Sequence, residues 1–500
     1  GITMSQDQKS LKQIIDFRIE KLNKLREAGI NPFPNKFDPT YKSESIKTDF
    51  DAMEGKTVKV AGRIMALRKM GKASFAQIMD SEGRIQFFIR QDDVGEESYT
   101  HFKLLDIGDY VGIEGYVFKT KTEEISIHAD TLTILAKSIR PLPIVKEKDG
   151  DVFDAFTDKE QRYRNRHLDL ILNPEVKDTF VKRARIIKTV RNFLDDKGFL
   201  EVETPVLQPL YGGASARPFK THHNTLDQTF FLRIADELYL KRLIIGGIDR
   251  VYELSKDFRN EGMDRNHNPE FTMLEFYWAY ADYEDCMQIT EVMIQKSAES
   301  VGALQINWGG MEIDLSKPFA RRPILGLLKD ATGHDLGDVT DDEICTVCKE
   351  NGVDVDNNAN YGQMLDELMG KLVEPNLIQP TFAIDYPKAI SPLAKAHRNG
   401  DPNMVERFEL FIGGAEFANS FTELNDPLEQ RLRLEAQAKL RERGDEEAQS
   451  VDENFIQAME CGMPPTGGVG IGIDRLSMLL TGNRWIKDVI LFPALKQENS

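Results

Sequence analysis

Residues 251–280 contain side chains that together could bind a nucleotide. Arg259, His267 and Phe271 lie close together in the chain, and Glu275 follows as an isolated carboxylate. A planar guanidinium suits a phosphate, an aromatic ring stacks on a base, and a second cation-capable group suits the distal phosphates. A solvated sheet face would favour interchangeable Lys, Glu, Thr and Ser, so this composition favours a binding surface.

Two antiparallel strands and a polar loop must position these side chains. Before the loop, residues alternate between an apolar face and a polar face that ends with Arg259 and Glu261, which is the period of a strand. The loop 262–269 is rich in turn formers and ends at Pro269, which lacks the N–H that a central strand needs. The return strand then places Phe271, Met273, Glu275 and Tyr277 on one face.

Three fragments of this segment carry a resemblance to a known family. FRNEG, HNPEF and EFYWAY resemble the second signature motif of the class II aminoacyl-tRNA synthetases. Within the lysine, aspartate and asparagine subgroup, these residues are most similar to those of the lysine-specific members. The resemblance implies that Arg259 holds the α-phosphate, Phe271 and Arg475 enclose the adenine, and Glu261 lies near it. His267 and Arg475 would hold the β- and γ-phosphates, and Arg259 and Arg475 would be catalytic.

The segment FELFIGGAEFANSFTELND predicts a hairpin that turns at Gly413-Gly414. It brings Glu409 and Glu416 onto adjacent strands, where two carboxylates could share a divalent cation with phosphate oxygens. Simple alternation does not put Glu416 on the face of Asn419 and Glu423, so either a bulge intervenes or the roles divide between faces. By resemblance, Glu409 also contacts ATP, and the cation is Mg2+.

A glycine-rich strand followed by a helix, GGVGIGIDRLSMLLTG, predicts a second ligand surface. Glycines at 468, 470 and 472 leave one strand face bare, which suits a flat ligand. Arg475 lies at the start of the following helix, a position that suits a phosphate. The dinucleotide and P-loop patterns are both absent, and the segment resembles the third class II motif.

The residues that would select the amino acid are inferred from the resemblance. An extended ammonium requires a buried anion, and Glu275, Tyr277 and Glu423 would lie along or at the end of the substrate side chain. The α-amino and carboxylate groups would be held by Gly213, Glu237 and Asn419. An acidic residue such as Glu237 in a first helical turn is otherwise often dipole compensation. The chain departs from the family at Asp236, where proline is expected.

Five β segments between Thr57 and Ile144 predict a small closed barrel of the oligonucleotide-binding (OB) type. Arg68, Phe75 and Gln86 could serve as a phosphate or base contact, a stacking ring and a base-edge reader. Core packing is an equally good interpretation of Phe75 from spacing alone. GKASF and GRIQ resemble the anticodon-reading barrel of the subgroup, which favours the stacking role.

The predicted fold class is α+β: a five-stranded OB-type barrel followed by a class II catalytic domain, an antiparallel sheet flanked by helices. The segment around Pro205 resembles the first class II motif, which implies a homodimer. The predicted domains are a helical extension (1–55), an anticodon-binding barrel (56–145), a linker (146–170) and a catalytic domain (171–500) with a helical insertion at about 282–400.

Composition is that of an ordinary globular protein, with 41% hydrophobic and 29% charged residues. The net charge of −18 neither establishes nor excludes an RNA partner. Four cysteines, the absence of an apolar run of about 18 residues and no signal-peptide pattern predict a cytoplasmic protein with no membrane association. Cys345 and Cys348 form a CxxC without a second pair, so a surface helix is favoured over a zinc site.

The resemblance implies that L-lysine is activated with ATP to lysyl-adenylate and transferred to the 3′ end of tRNA(Lys). Aspartate- or asparagine-specific members share the ATP motifs but would carry cations where this chain has Glu275 and Glu423. A paralogue that lysylates a protein would lack the barrel. A non-catalytic RNA-binding regulator would have no need of Arg259, Glu409, Glu416 and Arg475.

Overall fold

The structure is a computed structural model that describes residues 10–143, 146–148, 151–153, 156–356, 359–442 and 449–497. Parts of the predicted extension (1–9), barrel (144–145), linker (149–150 and 154–155), insertion (357–358) and catalytic domain (443–448 and 498–500) lie outside the described residues. The chain forms two compact units, 1–157 and 158–500. The division lies inside the predicted linker, and the finer domain bounds remain predictions.

The first unit consists of short helices and a barrel. Its helices are α1 (Leu11–Glu27), α2 (Ser43–Thr48), α3 (Phe50–Met53), α4 (Gln91–Val94) and α5 (Glu96–Lys103). Its strands are β1 (Thr57–Met70), β2 (Ala73–Met79), β3 (Arg84–Arg90), β4 (Tyr110–Lys119), β5 (Ile125–Ala136), β6 (Lys146–Lys148) and β7 (Asp151–Phe153). Strands β1 to β5 close in the order β1-β2-β3-β5-β4, which confirms the predicted barrel.

Alternation along the barrel strands separates a core from an outer face. The inward residues of β2 and β3, among them Ile78, Ile85, Phe87 and Ile89, are almost completely buried. Their neighbours in sequence point outward and are half-buried or exposed. The inward-pointing residues are apolar because closing the sheet into a barrel removes that face from water.

The second unit is built on one large sheet. Its helices are α6 (Lys159–Arg164), α7 (Arg166–Leu172), α8 (Pro174–Asp196), α9 (Glu237–Ile245), α10 (Tyr283–Ser300), α11 (Ile324–Thr332), α12 (Asp341–Glu350), α13 (Tyr361–Leu368), α14 (Pro427–Glu442), α15 (Glu453–Glu460) and α16 (Ile473–Thr481). Its strands are β8 (Leu200–Glu201), β9 (Leu207–Gln208), β10 (Lys220–His223), β11 (Gln228–Leu232), β12 (Arg250–Phe258), β13 (Glu270–Ala279), β14 (Gln305–Trp308), β15 (Met311–Asp314), β16 (Ala320–Pro323), β17 (Thr381–Pro387), β18 (Met404–Ile412), β19 (Ala415–Thr422) and β20 (Thr466–Gly472).

The strand order of the large sheet is β16-β17-β18-β19-β20-β13-β12-β8, antiparallel except for the outermost pair at each edge. The strands that carry the candidate ligand-binding residues, β18, β19, β20, β13 and β12, are therefore neighbours at the centre of the sheet. Helices α8, α10 and α16 pack against one face through a buried apolar cluster that includes Val190, Met293 and Leu476. The α+β class with helices flanking a mainly antiparallel sheet is confirmed.

The structure extends one local prediction and refines another. The basic amphipathic pattern from Phe180 to Leu194 predicts a helix, and the observed helix runs from Pro174 to Asp196, because proline is well tolerated in the first helical turn. The CxxC helix is α12, but only one side of it is exposed, since Cys348 is buried in an apolar cluster. Among the described helices, none is long and apolar enough to cross a membrane.

Candidate active site

Strands β12 and β13 form the predicted hairpin and orient Arg259, which follows β12. Glu253 lies opposite Glu275, and Asp257 lies opposite Phe271. The Nε and Nη2 atoms of Arg259 donate to the carbonyl oxygen of Ile234 at 3.4 Å, and its guanidinium lies 5.1 Å from the centre of the Phe271 ring. The arginine is thus held over an aromatic ring on the predicted face.

A first cavity, here the arginine cavity, lies at the open end of this hairpin. Its lining includes Arg259, Glu261, His267, Phe271, Glu416, Asn419, Gly470 and Arg475. Arg475 donates to the carbonyl oxygen of Glu416 at 2.7 Å and lies 3.2 Å from His267 Nε2. The Nδ1 atom of His267 is 2.8 Å from the Asp264 carboxylate. The structure therefore brings together all the residues predicted to contact ATP except Glu409.

A second cavity, here the acidic cavity, contains the residues predicted to hold the amino acid. Its lining includes Gly213, Glu237, Arg259, Glu275, Tyr277, Glu409, Glu416, Asn419 and Glu423. Glu237, Glu275 and Glu423 are 5%, 4% and 1% exposed, so a polar ligand there would meet anions that water scarcely reaches. The predicted set is assembled completely.

Lys241 is a member of this site that the sequence reasoning missed. Its ammonium is fully buried and lies 2.5 Å from both Glu237 and Glu423. Burial lowers the pKa of Lys241, but the two carboxylates outweigh burial and raise it, so the lysine keeps its charge. Glu237 is therefore the partner of a buried cation, not a surface dipole compensator. Its i,i+4 spacing from Lys241 was the available signal.

The acidic cavity carries an excess of negative charge. Counted as ionised, Glu237, Glu275 and Glu423 carry three negative charges against the one positive charge of Lys241, while Glu409 and Glu416 are matched in number by Arg259 and Arg407 in the same lining. Burial raises the pKa of Glu275 to about 8, and the Asp257 and Glu237 carboxylates act in the same direction. Burial also raises the pKa of Glu423 to about 8, against the effect of Lys241. The cavity is suited to a ligand that brings two positive charges.

Five residues line both cavities: Arg259, Met273, Glu416, Asn419 and Gly470. The two cavities therefore meet at the Arg259 guanidinium. The Arg259 guanidinium donates its hydrogen bonds to the Ile234 carbonyl oxygen through Nε and Nη2. A ligand in one cavity can consequently meet a ligand in the other beside this arginine.

A β-bulge settles how the hairpin β18–β19 presents its carboxylates. Glu409 pairs with Asn419, but the register then shifts so that Phe411 pairs with Glu416. The extra residue turns Glu416 toward the cavity that Asn419 also lines, so the bulge alternative is the one realised. Glu409 accepts from Arg407 at 2.5 Å and from Tyr386 at 3.0 Å.

Arg407, Tyr386 and Gln449 are further residues of the site that the sequence reasoning did not select. Arg407 donates to Asn419 Oδ1 at 3.2 Å as well as to Glu409. Gln449 accepts from the backbone N–H of Gly213 at 3.2 Å. Gly213 has a φ of +88°, a conformation that favours glycine. Gln449 and Gly213 lie 236 positions apart, so only the folded chain reveals that pair, whereas Arg407 is two residues from Glu409 and could have been considered from the sequence.

Gly468 leaves room for the acidic cavity rather than for a flat ligand. A Cβ at this position would overlap the Glu423 carboxylate and the Tyr277 ring, whereas one at Gly472 would lie 3.9 Å from Arg475. The flat-ligand interpretation is therefore retained for Gly470, which lines both cavities, and for Gly472, which lines the arginine cavity.

Replacing Gly468 with alanine should displace Glu423 and Tyr277 and weaken the amino-acid ligand. Overpacking typically costs about 1–3 kcal/mol, so we expect the KM of that ligand to rise about 5- to 150-fold. Steady-state kinetics would test this, with Gly326→Ala as the matched control, because an added Cβ there has nothing within 4 Å and Gly326 lines neither cavity. Equal effects of the two substitutions would contradict the assignment.

The barrel presents a second candidate site on its outer face. Phe75 is half-buried, lies outside the barrel core and packs on Phe88 with ring centres 4.8 Å apart. Arg68 is directly opposite Phe75 on β1 and is exposed. Gln86 donates to Ser126 at 2.9 Å on the same face. The three predicted residues thus share one surface.

Additional rings continue this surface. His128 lies 5.3 Å from Phe88 and stacks on Tyr116 with ring centres 4.7 Å apart and an interplanar angle of 9°. Exposed aromatic rings beside a cation suit stacked bases. Tyr116 and His128 were not predicted, because alternation alone does not show which face of β4 and β5 is outside.

Comparisons with known proteins agree with both sites. A family model described as tRNA synthetases class II (D, K and N) matches residues 158–496, and one described as an OB-fold nucleic acid binding domain matches residues 58–135. The chain is 51% identical over 492 residues to a lysine–tRNA ligase of Carboxydothermus hydrogenoformans, which covers 98% of this chain and 99% of that relative. It is 50% identical over 492 residues to a lysine–tRNA ligase of Porphyromonas gingivalis, covering 96% of this chain and 85% of that relative.

Proposed function

We propose that this chain, which belongs to the class II tRNA synthetases of the D, K and N group, is a lysine–tRNA ligase. Such an enzyme joins lysine to ATP as lysyl-adenylate, releases pyrophosphate and transfers lysine to the 3′ end of its tRNA. The observation that carries the proposal is the meeting of an arginine cavity and a doubly negative cavity at Arg259.

The chemistry requires orientation and charge neutralisation. The lysine carboxylate attacks the ATP α-phosphate in line, and negative charge accumulates on the phosphate oxygens. Arg259 holds the α-phosphate at the junction of the cavities and stabilises that charge. Phe271 and Arg475 enclose the adenine, Glu261 lies near it, and His267 and Arg475 neutralise the distal phosphates.

Glu409 and Glu416 fit a Mg2+ ion that accompanies ATP. Both carboxylates line the acidic cavity, and Glu416 also lines the arginine cavity. Burial and the nearby Glu416 carboxylate raise the pKa of Glu409, which is the situation that a cation relieves, and oxygen donors are those Mg2+ prefers. When bound, Mg2+ would neutralise phosphate oxygens. Arg407 and Tyr386 hold Glu409 in place.

Lysine satisfies the charge of the acidic cavity. Its α-ammonium pairs with Glu237 beside Gly213 and Asn419, and its ε-ammonium pairs with Glu423 and Glu275, whose Oε2 accepts from Tyr277 at 2.9 Å. The two ammonium groups supply the two missing positive charges, and the carboxylate faces Arg259. Aspartate would bring the opposite charge, which favours lysine over the aspartate and asparagine alternatives.

Amino-acid-dependent ATP–pyrophosphate exchange without tRNA tests this function. We expect exchange with lysine and not with the other nineteen amino acids. Exchange with aspartate or asparagine would keep the family and overturn the specificity. Absence of exchange with every amino acid would favour an RNA-binding regulator.

The barrel is proposed to read the anticodon through Arg68, Phe75 and Gln86. Replacing Phe75 with alanine removes a stacking ring, worth about 1–3 kcal/mol per base, so the kcat/KM for tRNA should fall about 5- to 150-fold. Pyrophosphate exchange without tRNA should not change. The exposed Phe33 provides a matched ring deletion, and an equal loss in Phe33→Ala would refute the assignment.

A homodimer is proposed on the surface around Pro205. Leu200, Val206, Leu207 and Leu210 are 51%, 37%, 48% and 42% exposed, and so many neighbouring apolar side chains at the surface mark an association site. Sedimentation equilibrium should give twice the mass of the chain. A monomer at micromolar concentration would contradict this proposal. The cytoplasmic location remains a prediction.

A further inference from the structure

A cluster of three buried carboxylates lies behind the wall of the acidic cavity. Asp236, Asp257 and Glu275 each place one oxygen within 4.8 Å of the others. Asp236 and Asp257 are 0% exposed and are not among the residues that line the cavity, whereas Glu275 is. The cluster is therefore distinct from the proposed lysine and Mg2+ positions, although it shares Glu275 with the lysine pocket.

Several oxygens of this cluster have no hydrogen-bond donor among the described residues. These are both carboxylate oxygens of Asp236 and Oδ2 of Asp257. The oxygens of Glu275 accept from the backbone N–H of Asp236 at 3.0 Å and from Tyr277 at 2.9 Å. A buried carboxylate that is ionised and lacks a donor costs several kcal/mol, so these oxygens either take up protons or bind a positively charged ligand.

Arg233 contacts the cluster but does not neutralise it. Its Nη1 lies 2.7 Å from Glu253 and 3.2 Å from Asp236, and its Nε lies 3.4 Å from Asp257. One guanidinium is thus shared among Glu253, Asp236 and Asp257, which, counted as ionised, leaves two negative charges in addition to that of Glu275. The positive charge of Arg259 also attracts the Asp257 carboxylate. Arg259 lines both cavities, however, where the anionic groups of the substrates would pair with it.

We propose that Asp236, Asp257 and Glu275 bind a divalent cation, separate from any ion at Glu409 and Glu416. All the donors are oxygens, which suits a hard cation. Ligand atoms that all lie within 4.8 Å of one another are close enough to bind one ion such as Ca2+, whose bonds to oxygen are about 2.4 Å long. Two positive charges balance the excess left by Arg233.

Asp236 is the member of this site at which the chain departs from the resembled family. The resembled family places proline there, and proline offers neither a ligand oxygen nor an N–H for Glu275. Asp236 precedes α9 without capping it through its side chain, so helix formation does not explain the residue. A cation would link the start of α9 to β12 and β13 and fix the Glu275 carboxylate.

The test is Mn2+ binding to the EDTA-treated full chain without ATP, lysine or tRNA, followed by electron paramagnetic resonance of free Mn2+. A Glu409→Gln/Glu416→Gln background removes the other carboxylate pair. We expect this background to retain one Mn2+ that Ca2+ displaces, and to gain thermal stability from it. Adding Asp236→Asn should abolish both effects.

Two outcomes would overturn the proposal. The first is no Mn2+ retained by the background, as expected if Asp236 and Asp257 share protons instead. The second is an unchanged Mn2+ count after Asp236→Asn. If that variant does not fold, Asp236→Pro supplies the family's residue, and anomalous diffraction from an Mn2+-soaked crystal of the unaltered chain must show a peak between the three carboxylates.

Discussion

Replacing Arg259 with alanine is expected to lower kcat for lysine-dependent ATP–pyrophosphate exchange by about a thousandfold or more. The side chain lies at the junction of the two cavities, and its guanidinium is already oriented by Ile234 and Phe271. A preorganised donor aimed at developing phosphate charge is worth about 10²–10³ in rate, and an arginine in phosphoryl transfer up to about 10⁵. Arg259→Lys should restore little, because an ammonium lacks the planar fork.

Lys256 provides the matched control for Arg259. It is an exposed cation on the same strand, 3.9 Å from Glu270, and it lines neither cavity. Lys256→Ala should leave exchange within about twofold, as is usual for surface substitutions. A comparable loss in both variants would mean that β12, and not the guanidinium, is responsible.

The hairpin around Arg259 could be predicted because its information is local. Period-two alternation assigned faces on both strands, and the observed register, with Glu253 opposite Glu275, follows from a buried apolar face. The same reasoning could not decide the position of Glu416. The bulge adds one residue to β19, and whether this is energetically favourable depends on the packing of β18 and β20 on either side. The sequence alone was therefore compatible with two positions for Glu416.

The charge balance of the acidic cavity could not be predicted from the sequence for a different reason. Lys241 lies one helical turn after Glu237, a pair that is common on exposed helices. In the fold Lys241 is buried against a second carboxylate, that of Glu423, which is 182 residues further along the chain. Sequence reasoning therefore found the anions of the site but not the cation that compensates one of them, nor the buried carboxylate of Asp236.

Glu423→Gln is expected to raise the KM for lysine by a hundredfold or more. The substitution preserves shape but removes one of the two anions that hold Lys241, and it leaves a substrate ammonium without its partner. Removing one member of a buried charge pair costs about 2–5 kcal/mol. The KM for ATP should change less than twofold, because Glu423 does not line the arginine cavity. Unchanged lysine activation would show that the assignment of Glu423 is wrong.

A cycle with a substrate analogue assigns the loss to a particular atom. Norleucine has the lysine side chain without the ε-ammonium, so wild-type enzyme and Glu423→Gln should activate it with similar, low efficiency. The coupling energy between Glu423 and the ε-ammonium is then the difference between the effects of the substitution on lysine and on norleucine. If norleucine activation falls as far as lysine activation, Glu423 acts by holding Lys241 and Glu237 in place, and the ε-ammonium must be bound by Glu275.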